Sequence, residues 1–156
     1  MAESLPILTQ RRIEAAFAKG IYDEMKAELG EEAAKRILTN AVIKLAKQTA
    51  AEMARDAPGG KASLESFRGI QPRWTAEDAL RIDVVKSSDS EFHFNVTRCR
   101  YAEMYRAMGL AELGAVLSCN RDGAFCEGYS PNLKLKRTQT LMGGANHCDF
   151  RYEWHE

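Results

Sequence analysis

Hydrophobic positions recur every fourth residue early in the chain, at Ile13, Phe17, Ile21 and Met25, which predicts a helix over residues 8 to 29. Gly20 weakens that pattern from within, and Gly30 is placed to end it. A second helix is expected over residues 31 to 56, with Leu38, Val42, Leu45, Thr49 and Met53 on a packed face and charged residues on the other. "APGGKAS", residues 57 to 63, is the clearest break. Ser63 to Phe67 reads as one helical turn, and Thr75 to Asp78 has the form of a capping box before a short helix.

The period then changes to two. Leu80, Ile82 and Val84 alternate with Arg81 and Asp83, and after Ser87 to Ser90 the residues Phe92, Phe94 and Val96 alternate with His93, Asn95 and Thr97. This is a β-hairpin with one buried face. Residues 99 to 108 and 110 to 119 read as two short helices broken at Gly109, and Ala124 to Glu127 as a short strand. Leu133 and Leu135 make another strand. In the last one, Cys148, Phe150, Tyr152 and Trp154 share one face, and His147, Asp149, Arg151 and Glu153 share the other. The fold class that follows is α+β, with helices packed on a mainly antiparallel sheet of about four to five strands and an N-terminal helical half. A single domain is expected over residues 1 to 156, with a helical front (1 to 57) and a mixed rear (80 to 156) that carries the site.

Composition narrows the function classes. Lys and Arg total 22, as do Asp and Glu, so no net field draws the chain to nucleic acid or anionic membrane. No apolar run reaches the ~18 residues of a membrane span. The first residues lack a secretory leader's pattern, and the four cysteines are expected as reduced thiols in the cytoplasm. A small molecule is the expected partner, and a homo-oligomer is left open. No dinucleotide, P-loop, nucleophile-elbow or zincin motif is present.

The candidate chemistry lies in three places. Cys99 stands where strand gives way to helix, between Arg98 and Arg100, so local electrostatics make it the most activatable thiol. "SCNRD" puts Cys119, Arg121 and Asp122 within four residues, although a polar helix stop accounts for it equally. His147 and Asp149 share a strand face, which suits a carboxylate orienting an imidazole; a polar, solvated face is the plain alternative. Cys148 and Cys126 read as core. No cofactor or metal is expected. The alternative is zinc held by three cysteines and His147, but the cysteine spacing forms no recognised zinc pattern.

"CRYAEMYRAMGLAELGAVLSCNRD" (99 to 122) and "EGYSPNLKLKRTQTLMGGANHCDFRYEW" (127 to 154) resemble the L-2-amino-thiazoline-4-carboxylic acid hydrolase family. The resemblance covers residues 80 to 154, and Cys126 departs from it where an aliphatic residue is expected. It implies hydrolytic opening of a cyclic amidine at a non-peptide C–N bond, as when a 2-aminothiazoline-4-carboxylate becomes an N-carbamoyl amino acid. On this reading His147 is the base, Asp149 or Asp122 orients it, and Cys119 or Cys99 is the nucleophile unless water attacks directly. Arg98, Arg121 or Arg137 would bind a substrate carboxylate, and Asn146 would face substrate beside His147. The C-terminal G-x-x-H-C-x-F-x-Y is also similar to the ending of 4-vinyl reductase-type ligand-binding domains. That similarity implies the rival function, a small-molecule sensor domain.

Overall fold

The computed structural model describes residues 4–156. Two long helices, α1 (Ile7–Leu29) and α2 (Glu31–Arg55), form a hairpin joined by Gly30 alone, whose φ of 87° is a conformation that favours glycine. A 3-10 turn at Pro58–Gly60 leads to α3 (Leu64–Arg68) and α4 (Gln71–Thr75). Ser63 caps α3 in a reciprocal capping box with Ser66. Thr75 caps nothing: its hydroxyl donates to the Gln71 carbonyl, and Glu77 and Asp78 turn the chain at positive φ of 58° and 57°. Strands β1 (Leu80–Ser87) and β2 (Glu91–Cys99) make the expected hairpin, although Val84, expected on its buried face, is exposed on this edge strand, and α5 (Arg100–Ala107) follows directly. A 3-10 turn at Ala111–Leu113 and a π-helical segment, Ala115–Cys119, run into α6 (Asn120–Tyr129). β3 (Leu133–Lys136) and β4 (Cys148–Trp154) complete a four-stranded antiparallel sheet of order β1-β2-β4-β3.

Helices cover one sheet face. Phe92, Phe94 and Val96 of β2 and Cys148, Phe150 and Tyr152 of β4 are buried on it, packed with Phe67 of α3 and with Phe125 and Tyr129 of α6. Tyr105, Leu113, Leu117, Tyr22 and Leu38 form a second cluster between α1, α2, α5 and the turn that follows α5. Trp74, Leu80 and Cys99 pack against both clusters. α2 approaches α6 so closely that a Cβ on Gly128 would lie 2.6 Å from the Lys47 Cα, so glycine is needed there.

Other sequence expectations change as well. Ala124 to Glu127 is not a strand but part of α6, because the π turn carries the helix through "SCNRD" without a stop. On α1 the stripe Ile13, Phe17 and Ile21 faces outward, with Phe17 74% exposed, while Ile7, Ala15 and Tyr22 are the buried positions. Along its middle α1 packs through Ala15 and Tyr22, so the large side chains of Ile13, Phe17 and Ile21 mark the wrong face. Among the described residues no helix is long and apolar enough to cross a membrane.

Candidate functional site

An interior cavity of about 300 Å³ lies at the seam between the two core clusters, near the low end of the range of small-molecule sites. Most of its wall is apolar: Ile7 and Ala46 from the long helices, Phe67 and Trp74 from α3 and α4, Val96, Phe150 and Tyr152 from the sheet, and Phe125 from α6. Set into that wall are Cys99, Cys119 and Cys148, with Asp122, Arg137, Ser118 and Tyr101. Gln10, Arg11 and Glu14 of α1, together with Arg73 and Arg121, add charge and polarity.

The π-helical segment places two of these groups. It ends at Cys119, and Asp122 follows three residues later, so both lie on one helical face and line the same space. Single π turns recur at functional sites because they re-aim side chains within a helix. Tyr105 and Ser118 hold the segment from behind by a hydroxyl–hydroxyl bond of 2.7 Å. Arg137, just past β3, fixes the other side. It donates to Asp122 Oδ2 at 2.6 Å and to the Cys119 carbonyl at 3.2 Å, and its guanidinium lies 5.1 Å from the Phe150 ring centre. One arginine thus ties β3, β4 and the start of α6 together at the cavity wall.

Burial decides the protonation of these groups. It pushes the Cys119 thiol up to about 12, with the Asp122 charge adding to the effect and Arg137 opposing it. It pushes Cys99 up to about 11, against a 3.4 Å hydrogen bond from the Ala102 amide to Sγ. Cys148, which accepts from the Leu141 amide at 3.1 Å, is raised by burial as well. Asp122 is raised too: burial outweighs the Arg137 guanidinium beside it. The carboxylate is 34% exposed, but that surface faces the cavity. The site therefore sets thiols raised above their ordinary range around a carboxylate raised in the same direction.

The sequence candidates divide between the two sheet faces. Cys119, Cys99, Asp122, Arg121 and Arg137 line the cavity. Cys99 is the N-cap of α5 as expected, but Arg98 and Arg100 turn away from it. Arg98 binds Glu103 and Asp78, and Arg100 binds the Glu77 carbonyl, so neither cation reaches the thiol and burial prevails. His147, Asp149 and Asn146 do not line the cavity. His147 bonds to the side chains of Asn146 and Gln139. Asp149 accepts from the Thr138 amide and hydroxyl and the Gln139 amide. Although burial would raise it, those bonds hold its carboxyl down to about 2, so it is an anchor for the 138–139 loop. The cysteines and His147 do not draw their ligand atoms together. Among the described residues, the one group of three or more potential ligands within 4.8 Å of one another is Glu91, His93 and Glu153.

Sequence reasoning missed the contribution of the helical front. Arg11 and Glu14 stand one turn apart on α1, and Glu14 accepts from Arg121 at 3.1 Å. Thr49 and Met53, expected on the packed face of α2, are cavity wall. Their signal was polar or flexible side chains within an otherwise apolar face.

The fold is shared with solved structures, two of them crystal structures with a bound organic ligand. The phenol-responsive sensory domain of the transcription activator PoxR aligns with TM-score 0.54 at 14% identity, over 90% of this chain and 73% of that one. A trafficking protein particle complex subunit 3 from Naegleria fowleri, covalently bound to palmitic acid, aligns with TM-score 0.51 at 10% identity, over 95% and 96%. No curated protein matches by sequence. The family profile of L-2-amino-thiazoline-4-carboxylic acid hydrolase matches residues 10–152, almost the whole length, and the chain belongs to that family.

Proposed function

We propose that the chain is a hydrolase that opens a small cyclic amidine inside the cavity, with Cys119 as nucleophile and Asp122 as base. The observation that carries this reading is the convergence of a thiol, a carboxylate of raised pKa and a fixed guanidinium on one largely apolar space. The family's name supports it.

Cys119 at about 12 is no standing thiolate. It is nonetheless a stronger acid than water at about 15.7, so a base beside both takes the thiol proton more readily. A cationic amidine entering the cavity would draw that thiol back down. In the first step the Cys119 thiol adds to the amidine carbon as Asp122 accepts its proton. The ring bond then breaks, and Asp122 returns that proton to the leaving ring atom. What remains is an isothiourea on Cys119. Water, deprotonated by Asp122, attacks the same carbon, the carbon–sulfur bond to Cys119 breaks, and the thiol is regenerated with a urea-type product. For a 2-aminothiazoline giving an N-carbamoyl amino acid, both nitrogens stay on that carbon. The ring bond opened is then C–S, where the family resemblance had implied C–N. Arg137 positions Asp122 and the Cys119 backbone, and Arg73 or Arg121 supplies the cation for a substrate carboxylate. Helices from the front and strands from the rear build one site, so the chain works as a single unit.

A second reading, a binding domain that senses a small molecule, is favoured by the neutral state of the cavity thiols. The likeness to a sensory domain described with phenol fits it. A panel of cyclic amidines, 2-aminothiazoline-4-carboxylate among them, separates the two when products are followed by mass spectrometry. Turnover lost in Cys119→Ser and in Asp122→Asn supports the hydrolase. Saturable binding with no product from any member supports the sensor and overturns the hydrolase.

A further inference from the structure

The outer sheet face carries a second cluster that the cavity chemistry does not use. Glu91 of β2 and Glu153 of β4 are direct cross-strand partners, an arrangement of like charges that weakens a strand pair. Between them and the strand centre sits His93, only 15% exposed, whose Nε2 is buried with no hydrogen-bond partner. That nitrogen lies 3.8 Å from Glu91 Oε1, and one ligand atom from each of the three residues falls within 4.8 Å of the others. His155 adds a second imidazole, its Nε2 3.0 Å from Glu153 Oε2.

We propose that Glu91, His93 and Glu153, joined by His155, bind a divalent first-row metal ion of the zinc type. Imidazole with carboxylate is a donor set that suits such ions. A cation there would satisfy the orphaned nitrogen and neutralise the facing carboxylates in one stroke. Lys86 and Lys136 now balance those carboxylates, but they are 53% and 70% exposed and free to swing into water as the ion enters. Glu153 is held below the ordinary carboxylate range by hydrogen bonds from Lys136 and His155. The ion would clamp the end of β2 to the end of β4, on the face opposite the cavity. Its role is to brace the sheet that carries Cys148 and Phe150, with no part in ring opening.

The test is a titration of tag-free, chelator-stripped full chain with Zn²⁺ or Co²⁺, followed by calorimetry, Co²⁺ absorption and thermal melting. One ion per chain is expected, with Tm raised by roughly 5–10 °C at a hundredfold excess over Kd. His93→Ala and Glu153→Gln should each weaken binding about tenfold or more. Glu153→Gln keeps the shape of the side chain and removes its repulsion with Glu91, so this variant should fold even where the His93 variant does not. Cys119→Ser should bind as the parent does. Absence of binding, equal affinity in Glu153→Gln and the parent, or binding lost in the cysteine variant would each overturn the proposal.

Discussion

Arg137→Ala tests whether the cavity is held together as described. The side chain is 18% exposed and is the counter-charge of Asp122 at 2.6 Å. Its removal strands a carboxylate among apolar groups, which for a fully buried pair costs about 3–5 kcal/mol. Asp122 faces a cavity that admits water, so the lower figure of about 2–3 kcal/mol is expected. For a chain of this length that is a fall in Tm of roughly 4–12 °C. The pH dependence has a definite sign. Asp122 has a folded pKa above its unfolded value, and losing Arg137 raises it further. The variant's deficit is therefore smallest below about pH 4 and grows as pH rises through the folded pKa. The double variant Arg137→Ala/Asp122→Asn should be more stable than Arg137→Ala alone at pH 8, because the stranded charge is gone. Thermal melts at pH 5 and pH 8 on the four proteins of the cycle are the assay. Additive effects, or an Arg137→Ala deficit equal at both pH values, would refute the paired, desolvated carboxylate.

Thiol alkylation followed against pH should be slow for Cys119 and Cys99 at neutrality and still rising beyond pH 10, following pKa values of about 12 and about 11; a plateau near pH 8 would contradict burial as the governing influence. Gly128→Ala sets a methyl against the Lys47 backbone and should cost about 1–3 kcal/mol by overpacking, read as a lower Tm in a folded protein. Asp149→Asn should lose about 1 kcal/mol, small because the group is only part-buried and solvent screens it. With its folded carboxyl at about 2 against an ordinary 3.8, the Asp149 contribution is present above pH 4 and disappears as pH falls through 2, so parent and variant should converge in acid melts.

The sheet was legible because its central strands alternate cleanly: Phe92, Phe94 and Val96, and Cys148, Phe150 and Tyr152, are buried as the period of two requires, whereas at the edge Val84 of β1 is 55% exposed. Alternation says that a strand has two faces without saying which one bounds a cavity. His147 and Asp149 drew attention as a polar pair, whereas the helices enclose space on the apolar face, where Cys148, Phe150 and Tyr152 meet Cys119 and Asp122. The π turn hid the continuity of α6. "SCNRD" has the polarity of a helix stop, and its helical signal, Phe125 and Tyr129 four apart, is preceded by Gly123 and interrupted by Gly128, residues that usually end helices. On α1 periodicity gave the helix but the wrong face, since Ala15 and Tyr22 make the contact and Ile13, Phe17 and Ile21 do not.

The central claim is that chemistry takes place in the interior cavity and not on the outer sheet face. It is tested most directly by kcat/KM for ring opening of 2-aminothiazoline-4-carboxylate in Asp122→Asn and His147→Ala, with folding of each checked by its thermal melt. Loss of a general base costs about 10²–10⁴ in rate, so Asp122→Asn should fall by at least a hundredfold while His147→Ala stays within severalfold of the parent. The reverse, a collapse in His147→Ala with Asp122→Asn near the parent, would contradict the account.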